Sequence, residues 1–364
     1  MPSLKKDVRL AQGSSKVKAS QAGSTKIKTA SAILARSDKH GIAVVIPCYR
    51  VIKHVDDLFS RFGPEVDAIY AIDDQCPEGS GAYIEKSVTD PRVRVLYNPK
   101  NLGVGGAVLN GMKAARKDGY RIGVKIDGDG QMDPALIRKF TRPIEMGLAD
   151  FTKGNRFYDP KHLRLMPKGR LLGNAVLSFV SKFSTGYWNI FDPTNGYLAL
   201  DLRLLRFLDV DKIDKRYFFE TDLLFRAGLT RACVADVPMI ALYAEEESNL
   251  HFSKEAWRFM KGHTRNFVKR IGYDYFLRDF SVASLELLIG LVCLVFGLIY
   301  GLINFGGDTP ASAGTVMMAA LPTLTGIILL VSFINYDVQK TPRTPLGSRL
   351  MDFEDENEDF TLRS

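Results

Sequence analysis

The stretch Asp127-Gly128-Asp129-Gly130-Gln131 decides how the rest of the chain is interpreted. It follows residues 123–126, a run typical of a buried strand, so two carboxylates stand at the carboxyl end of that strand. Asp127 and Asp129 are two residues apart and therefore point the same way on an extended backbone. Their carboxylates and the Gln131 amide oxygen are hard ligands, which suit Mg²⁺ or Mn²⁺ better than zinc. By itself the stretch could also be an ordinary turn, where Asp and Gly are common.

The composition narrows the classes of protein to consider. The chain has 364 residues, 46% of them hydrophobic, and a formal charge of +8. Residues 1–40 carry nine Lys or Arg against two Asp and have no apolar segment, which predicts a disordered basic tail rather than a secretory signal. The four cysteines and five histidines show no metal-binding or disulfide spacing. We therefore expect reduced thiols in a domain that faces the cytosol, and no zinc site.

Apolar runs alternate with segments of helical spacing in the first half of the chain. Strands are expected at 42–46, 67–72, 93–97 and 122–126, and helices at 55–62, 82–87, 102–115 and 135–146. This alternation predicts an α/β, Rossmann-like domain with a parallel sheet and helices on both faces. Ligands of such sheets bind beyond the carboxyl ends of the strands. The residues that gather there include Pro47, Tyr49, Asp73 and Asp74.

The segment Gly103-Val104-Gly105-Gly106 is not a dinucleotide fingerprint. The sixth position of that motif would be Val108 instead of glycine, and the segment follows the third strand rather than the first. The start of the helix that follows could still face a phosphate.

The last third of the chain predicts a membrane anchor. Lys and Arg recur every three or four residues between 253 and 279, beside Trp and Phe, as in helices of the membrane interface. Residues 282–305 and 314–336 are each long and apolar enough to span a bilayer. The linker between them has no Lys or Arg, whereas Lys269, Arg270, Arg278, Lys340 and Arg343 flank the outer ends. The positive-inside rule then places both termini and the large domain in the cytoplasm.

A candidate metal site and a membrane anchor together favour chemistry on a lipid phosphate. A metal that bridges a diphosphate makes the nucleotide a better leaving group. Arg156 and Arg170 could bind a second anion, such as a lipid phosphate. The second pKa of a phosphate is about 6, so it is already ionised near neutral pH and can attack the sugar without a strong general base. Arg170 and Asn174 could instead only solvate a helix, and Asp192 could only form the turn before Pro193.

Several motifs together resemble the family 2 glycosyltransferases, and more closely those that act on polyprenyl phosphates, such as dolichyl-phosphate mannose synthases. The resemblance rests on Ile46-Pro47-Cys48-Tyr49, Ile72-Asp73-Asp74, Asn101-Leu102-Gly103, the Asp-x-Asp-x-Gln motif at 127–131 and Gly154-Asn155-Arg156. It implies a glycosyltransferase A-type domain and covers about residues 42–250. Arg50-Val51 and Asn195-Gly196-Tyr197-Leu198 depart from the usual pattern, so the resemblance names no particular sugar.

The resemblance also implies roles for individual residues. The catalytic set would be Asp127, Asp129 and Asp192 with either Glu220 or Asp222. The nucleotide sugar would contact Pro47, Tyr49, Asp73, Asp74, Gly103, Gly105 and Lys125. The acceptor phosphate would contact Arg156, Arg170 and Asn174. Mg²⁺ or Mn²⁺ would be held by Asp127, Asp129 and Gln131.

The sequence therefore predicts an inverting, metal-dependent transfer of a sugar from a nucleotide-diphosphate sugar to polyprenyl phosphate at the cytoplasmic face of a membrane. Uridine is favoured as the base and guanosine comes second. The expected organisation is a tail (1–40), a glycosyltransferase domain (41–252), juxtamembrane helices (253–280), two transmembrane helices (281–337) and a cytoplasmic tail (338–364). Membrane lipids are expected partners, and the chain could also form a homo-oligomer. Nucleic acid is not an expected partner. A processive polysaccharide synthase and a non-catalytic nucleotide-sugar scaffold remain as alternatives.

Overall fold

The computed structural model describes residues 39–158, 168–239, 252–305 and 310–347. Seven strands form one sheet: β1 (Lys39–Cys48), β2 (Ala68–Asp73), β3 (Val93–Tyr97), β4 (Tyr120–Lys125), β5 (Phe151–Asn155), β6 (Leu198–Asp201) and β7 (Val234–Pro238). The helices are α1 (Ile52–Ser60), α2 (Ser80–Ser87), α3 (Val104–Lys117), α4 (Ile137–Glu145), α5 (Lys168–Thr185), α6 (Phe219–Leu229), α7 (Phe252–Ile271), α8 (Val282–Ile303) and α9 (Ala313–Gln339). The strands and helices expected between 42 and 146 are confirmed, with bounds that differ by a few residues.

The sheet has the order β3-β2-β1-β4-β6-β5-β7. The four strands predicted from the sequence pair in parallel, as expected, and β6 makes the whole sheet mixed. Strand β6 pairs antiparallel with both β4 and β5, while the other pairs are parallel. An apolar run of four residues such as β6 carries no signal of direction, and an antiparallel neighbour needs no helical crossover. The mixed sheet brings the ends of β4 and β5 to either side of one inserted strand.

Two hydrophobic clusters cover the two faces of the sheet, which explains the continuous apolar runs. Ala43 and Val45 of β1 belong to the cluster that contains α3 and α6, whereas Val44 and Ile46 belong to the one that contains α1 and α4. Successive side chains of a strand point to opposite faces, so each face receives every second residue. The strand ends are thereby held between two packed layers.

The chain continues after α7 into a π-helical segment, Gly272–Arg278, and then into the hairpin of α8 and α9. The two hairpin helices are 22 and 27 residues long, are apolar enough to cross a membrane, and are mostly exposed rather than packed into a core. A Cβ atom on Gly326 would lie 2.7 Å from the Gly290 carbonyl oxygen, so glycine lets the two helices pack backbone to backbone. The two expected apolar helices are present, and their crossing of a bilayer stays a prediction.

A buried carboxylate joins this hairpin to the α/β domain. Asp337 of α9 accepts hydrogen bonds from Arg270 (2.6 and 3.0 Å), from the Tyr275 hydroxyl (2.6 Å) and from the Trp188 indole (2.8 Å). Arg270, one of the basic residues that flank the first apolar helix, is thus paired with a carboxylate at the end of the second. The start of the predicted C-terminal tail contacts the α/β domain, where the main-chain amide of Leu346 donates to Asp150 (2.9 Å), and the bounds of the tail stay a prediction. Residues 348–364 lie outside the described part of the chain, as do residues 1–38.

Candidate active site

A buried lysine organises the carboxyl end of β4. Lys125 is fully buried, and its ammonium lies 2.6 Å from Asp127 Oδ1 and 3.2 Å from Glu220 Oε1. It also donates to the Gly196 carbonyl oxygen at 3.1 Å. Burial opposes the charge of Lys125, but the two carboxylates outweigh burial and raise its pKa. Lys125 was expected to contact the nucleotide sugar, and the structure instead places its ammonium between two predicted catalytic acids.

The turn after β4 is held close to the end of β1. Asp129 Oδ1 accepts a hydrogen bond from the main-chain N–H of Gln131 at 3.0 Å. Gly130 adopts φ +75°, a conformation that glycine takes without strain. A Cβ atom on Gly128 would lie 3.1 Å from the Pro47 carbonyl oxygen. Pro47 therefore lies beside the Asp-x-Asp-x-Gln turn, as expected for residues that share one ligand.

The donor set of this turn suits a divalent cation. Within the described ranges no group of three or more His, Cys, Asp or Glu side chains lies close enough together to hold a metal ion. Mg²⁺ bound with nucleotides commonly takes only one or two carboxylates from the protein and completes its octahedron with phosphate oxygens and water. Asp127, Asp129 and the Gln131 amide oxygen supply hard oxygen donors of that kind. The residues therefore fit such an ion, with the substrate providing the remaining ligands.

Asp73 and Asp74, expected at the nucleotide, are both buried and bonded to neighbouring loops. Asp73 accepts the amides of Cys76 and Gly81, each at 2.7 Å. Asp74 accepts the Asn98 side chain (2.7 Å) and the amides of residues 102 and 103 (2.9 and 2.7 Å). The structure shows that these carboxylates shape the loops after β2 and β3. Their contact with a nucleotide stays a prediction, as does that of Tyr49, which is partly exposed.

The glycines at the start of α3 do not leave an open phosphate site. The amides of Gly105 and Gly106 donate to the Lys215 carbonyl oxygen at 2.9 and 3.3 Å. A Cβ atom on Gly103 would lie 2.5 Å from the same oxygen. The segment before α6 therefore covers the start of α3, and the contact of Gly103 and Gly105 with a nucleotide sugar stays a prediction. Sequence spacing could not show this distant contact.

A second group of charged side chains lies at the carboxyl end of β5. Arg156 forms a two-pronged ion pair with the buried Asp192, with Nε to Oδ2 at 2.7 Å and Nη2 to Oδ1 at 2.9 Å. Such planar pairing fixes the guanidinium plane. The structure thus brings Arg156 and Asp192 together, as expected for two residues of one site.

A second buried lysine was not expected from the sequence. Lys153 of β5 is fully buried and donates to the Asn195 carbonyl oxygen. Burial lowers the pKa of Lys153 to about 8, although Glu220 and Asp192 act in the opposite direction. Lys125 and Lys153 therefore hold two consecutive carbonyls of the loop that carries Asp192. The available signal was a lysine inside an otherwise apolar strand, Phe151-Thr152-Lys153-Gly154.

The structure separates the two acids of α6. Glu220 pairs with Lys125, whereas Asp222 is fully buried and accepts Arg265 (3.1 Å) and Asn266 (2.8 Å) of α7. Asp222 also accepts the Asp214 amide at 2.9 Å. The Asp222 carboxylate therefore joins α6 to α7, whereas Glu220 pairs with Lys125, and the choice between them as the catalytic acid stays a prediction.

Two of the residues predicted to bind the acceptor phosphate lie on α5. Arg170 and Asn174 are one helical turn apart within Lys168–Thr185, as their spacing required. The side chain of Arg170 lies outside the described part of the chain, and that of Asn174 is partly exposed. Their grouping with Arg156 remains a prediction.

The chain is similar to known glycosyltransferases. The profile of glycosyl transferase family 2 matches residues 43–208. The polyprenol monophosphomannose synthase of Mycolicibacterium smegmatis is 31% identical over 54% of this chain and 75% of its own length. The undecaprenyl-phosphate mannosyltransferase of Micrococcus luteus is 28% identical over 54% of this chain and 82% of its own.

The chain is also similar to one further relative in sequence and to one solved structure in fold. The UDP-N-acetylglucosamine–dolichyl-phosphate N-acetylglucosaminyltransferase of Methanococcus voltae is 32% identical over 42% of this chain and 61% of its own. A solved glucosyl-3-phosphoglycerate synthase of Mycobacterium tuberculosis aligns with a TM-score of 0.49 and 18% identity over 64% of this chain and 81% of that one. The family profile and the mannose synthase match together establish the classification: the chain is an enzyme of glycosyltransferase family 2, with a glycosyltransferase A-type domain followed by two apolar helices.

Proposed function

We propose that this chain transfers a sugar from a nucleotide-diphosphate sugar to the phosphate of a polyprenyl phosphate at the cytoplasmic face of a membrane. The observation that carries the proposal is the line of charges from Asp127 through Lys125 to Glu220, which lies on one side of β6, with Arg156 and Asp192 on the other. One cluster suits a metal-bound diphosphate and the other an anionic acceptor. The three relatives named above are, by their names, enzymes that act on acceptors of this polyprenyl class.

The donor is proposed to bind at the end of β4. Mg²⁺ or Mn²⁺, held by Asp127, Asp129 and Gln131, would neutralise charge on the diphosphate leaving group. Lys125 fixes the Asp127 carboxylate from behind, so this carboxylate keeps one orientation as the ligand arrives. Pro47, Tyr49, Asp73 and Asp74 would surround the nucleoside. Uridine is the first choice of base and guanosine the second.

The acceptor is proposed to bind beside Arg156, with Arg170 and Asn174 completing its site. A phosphate monoester is largely ionised at neutral pH, since its second pKa is about 6, and it can attack without a strong base. A single displacement by this oxygen on the anomeric carbon inverts the configuration there. Asp192 orients Arg156 through two hydrogen bonds and therefore acts as a positioning residue.

The hairpin supports a membrane location for this reaction. Its two helices are apolar and mostly exposed, and a buried charge pair fixes the end of α9 to the α/β domain. We infer that residues 41–252 form the cytoplasmic catalytic domain, 253–280 the interface helices, and 281–337 the membrane anchor.

The proposal is tested with full-length protein in detergent, radiolabelled UDP-sugars and GDP-sugars, undecaprenyl phosphate, and Mg²⁺ or Mn²⁺. The expected product is a charged, lipid-extractable monosaccharide of inverted configuration, which disappears with EDTA and in Asp129→Ala. Asp211→Asn, at an exposed acid whose ion pair is with Lys113 on α3, serves as the matched control and should keep full activity. A long polymer would favour a processive synthase. Product formation that Asp129→Ala leaves undiminished would overturn the proposed site.

A further inference from the structure

Helix α5 shows apolar side chains to the outside of the domain. Leu172, Val176 and Phe179 are 68%, 56% and 56% exposed. Their spacing of four and three residues places them on one face of the helix. Contiguous exposed apolar patches are uncommon on surfaces that face water, and they mark contact with a partner or a membrane.

The inward face of the same helix is polar. Ser178, Ser181, Ser184 and Thr185 are buried, and Ser184 hydrogen bonds to His263 of α7 at 2.8 Å. Small hydroxyl side chains let α5 pack closely against α7, and the hydroxyls of Ser184 and Thr185 both donate to the Ser181 main-chain oxygen of the helix itself. The polar side chains of α5 thus face the domain and its apolar side chains face outward, the opposite of a surface helix in water, whose apolar side packs inward.

The exposed face runs to the joint between the domain and the hairpin. Phe179 contacts Phe183 with ring centroids 5.1 Å apart, and Phe183 contacts Trp188 at 4.9 Å. The Phe183 carbonyl accepts Arg270 at 2.9 Å, and both Arg270 and Trp188 donate to Asp337 at the end of α9. The apolar face of α5 is therefore continuous with the end of a helix whose own surface is apolar and exposed.

We propose that the face formed by Leu172, Val176 and Phe179, here called the α5 face, lies in the interfacial layer of the bilayer and contacts lipid hydrocarbon. Interfacial helices bury their apolar face by about 5–10 Å at the boundary of headgroups and acyl chains. The catalytic domain would then touch the membrane at α5 as well as through the hairpin. Lipid is the favoured occupant because the α5 face leads directly to the hairpin end.

This inference rests on the proposed function and deepens it. Arg170 and Asn174 lie on the same helix, so an α5 face held in the interfacial layer brings the predicted acceptor residues to the level of lipid headgroups. A lipid phosphate could then reach Arg156 while its hydrocarbon chain stays in the membrane.

The test uses nitroxide spin labels on full-length protein in lipid nanodiscs, with Cys76 and Cys293 replaced. Labels are placed at Val176→Cys and Phe179→Cys, with two reference sites. Lys86→Cys lies on α2 near the opposite edge of the sheet, and Val295→Cys lies on an exposed face of α8. Collision rates with oxygen, which partitions into lipid, and with a water-soluble nickel chelate are measured at each site.

We expect the ratio of oxygen to chelate accessibility at positions 176 and 179 to exceed that at Lys86 several-fold and to approach that at Val295. If positions 176 and 179 match Lys86 while Val295 is lipid-exposed, the α5 face lies in water and the inference is overturned alone. If neither reagent reaches positions 176 and 179, a protein such as a second copy covers them, which also overturns it. A water-exposed Val295 would instead remove the membrane anchor and with it the proposed function.

Discussion

The ammonium of Lys125 lies 2.6 Å from Asp127 and 3.2 Å from Glu220, so one buried cation holds two acids that come from different parts of the chain. Glu220 is buried and Asp127 is partly buried, and a shared counter-charge between two such carboxylates favours the ionised form of both. The pair also connects α6 to the end of β4, where the diphosphate is proposed to bind. Glu220 therefore reaches the site through Lys125 rather than alone.

The first prediction separates the two acids of α6. Glu220→Gln removes one of the two carboxylates beside Lys125 and leaves Asp127 as the only one, which shifts the carboxylate that the metal and diphosphate need. Loss of such an outer partner typically lowers activity about 10–100-fold. Steady-state kinetics with saturating acceptor should show this loss in kcat, with a small change in melting temperature.

Asp222→Asn is the matched variant on the same helix. It leaves Arg226 and Arg265 without their full charge partner at a buried position. Breaking a buried ion pair costs about 3–5 kcal/mol of stability. We expect a lower melting temperature and nearly unchanged kcat for the protein that remains folded. A large kcat loss in Asp222→Asn at unchanged stability would contradict this assignment.

The second prediction concerns Lys153. Burial lowers its pKa to about 8, below the 10.5 of a free lysine, so its charged form destabilises the fold at pH below 8. As pH rises from 8 to 10.5, the unfolded chain keeps the proton that the folded chain has lost, and this penalty disappears. The full difference is at most about 3 kcal/mol.

Lys153→Met removes the titrating group and gives the reference. Melting temperatures of both proteins are measured from pH 7 to 10.5. We expect the wild type to gain stability relative to Lys153→Met across that interval. A constant difference over the whole interval would show that Lys153 does not titrate there.

The sequence predicted the positions of the strands well, but it did not predict which distant segments and side chains contact one another. The runs that became β1, β2 and β4 are apolar on both faces, and such runs are recognised without knowledge of the fold. The direction of β6 and the loop that covers Gly103 depend on contacts between distant segments. Glu220 and Asp222 are two residues apart on a helix and point to nearly opposite sides, so only the packing of α7 decides which of them faces the site.

The third prediction concerns the joint between domain and hairpin. Asp337→Asn keeps the shape of the side chain but leaves the Arg270 guanidinium buried without a counter-charge. We expect a loss of about 3–5 kcal/mol, seen as a lower melting temperature in detergent. Glu145→Gln, which breaks a surface pair with Arg138 on α4, is the control and should change stability by less than about 1 kcal/mol. Equal melting temperatures for the two variants would argue against a structural role of the joint.

The last prediction concerns Asp236 of β7, which accepts the Asn155 side chain at 2.8 Å next to Arg156. Burial raises its pKa to about 6, and Asp192 adds to this effect, while the Asn155 hydrogen bond opposes it. Its Oδ1 is buried and has no hydrogen-bond partner among the described residues. Because the folded pKa lies above the unfolded value of 3.8, the folded state loses stability as pH rises from about 4 to 6.

Asp236→Asn should therefore be more stable than the wild type at pH 7.5, by at most about 3 kcal/mol, and equally stable near pH 4. Asp209→Asn provides a control of opposite sign, because Lys212 lowers the pKa of Asp209 and its charge stabilises the fold. We expect a small loss of stability for that variant at pH 7.5. Thermal unfolding of the three proteins at both pH values decides the matter. If Asp236→Asn is less stable at pH 7.5, the ionised carboxylate is needed there, and the positive charge of Lys153 is the group that needs it.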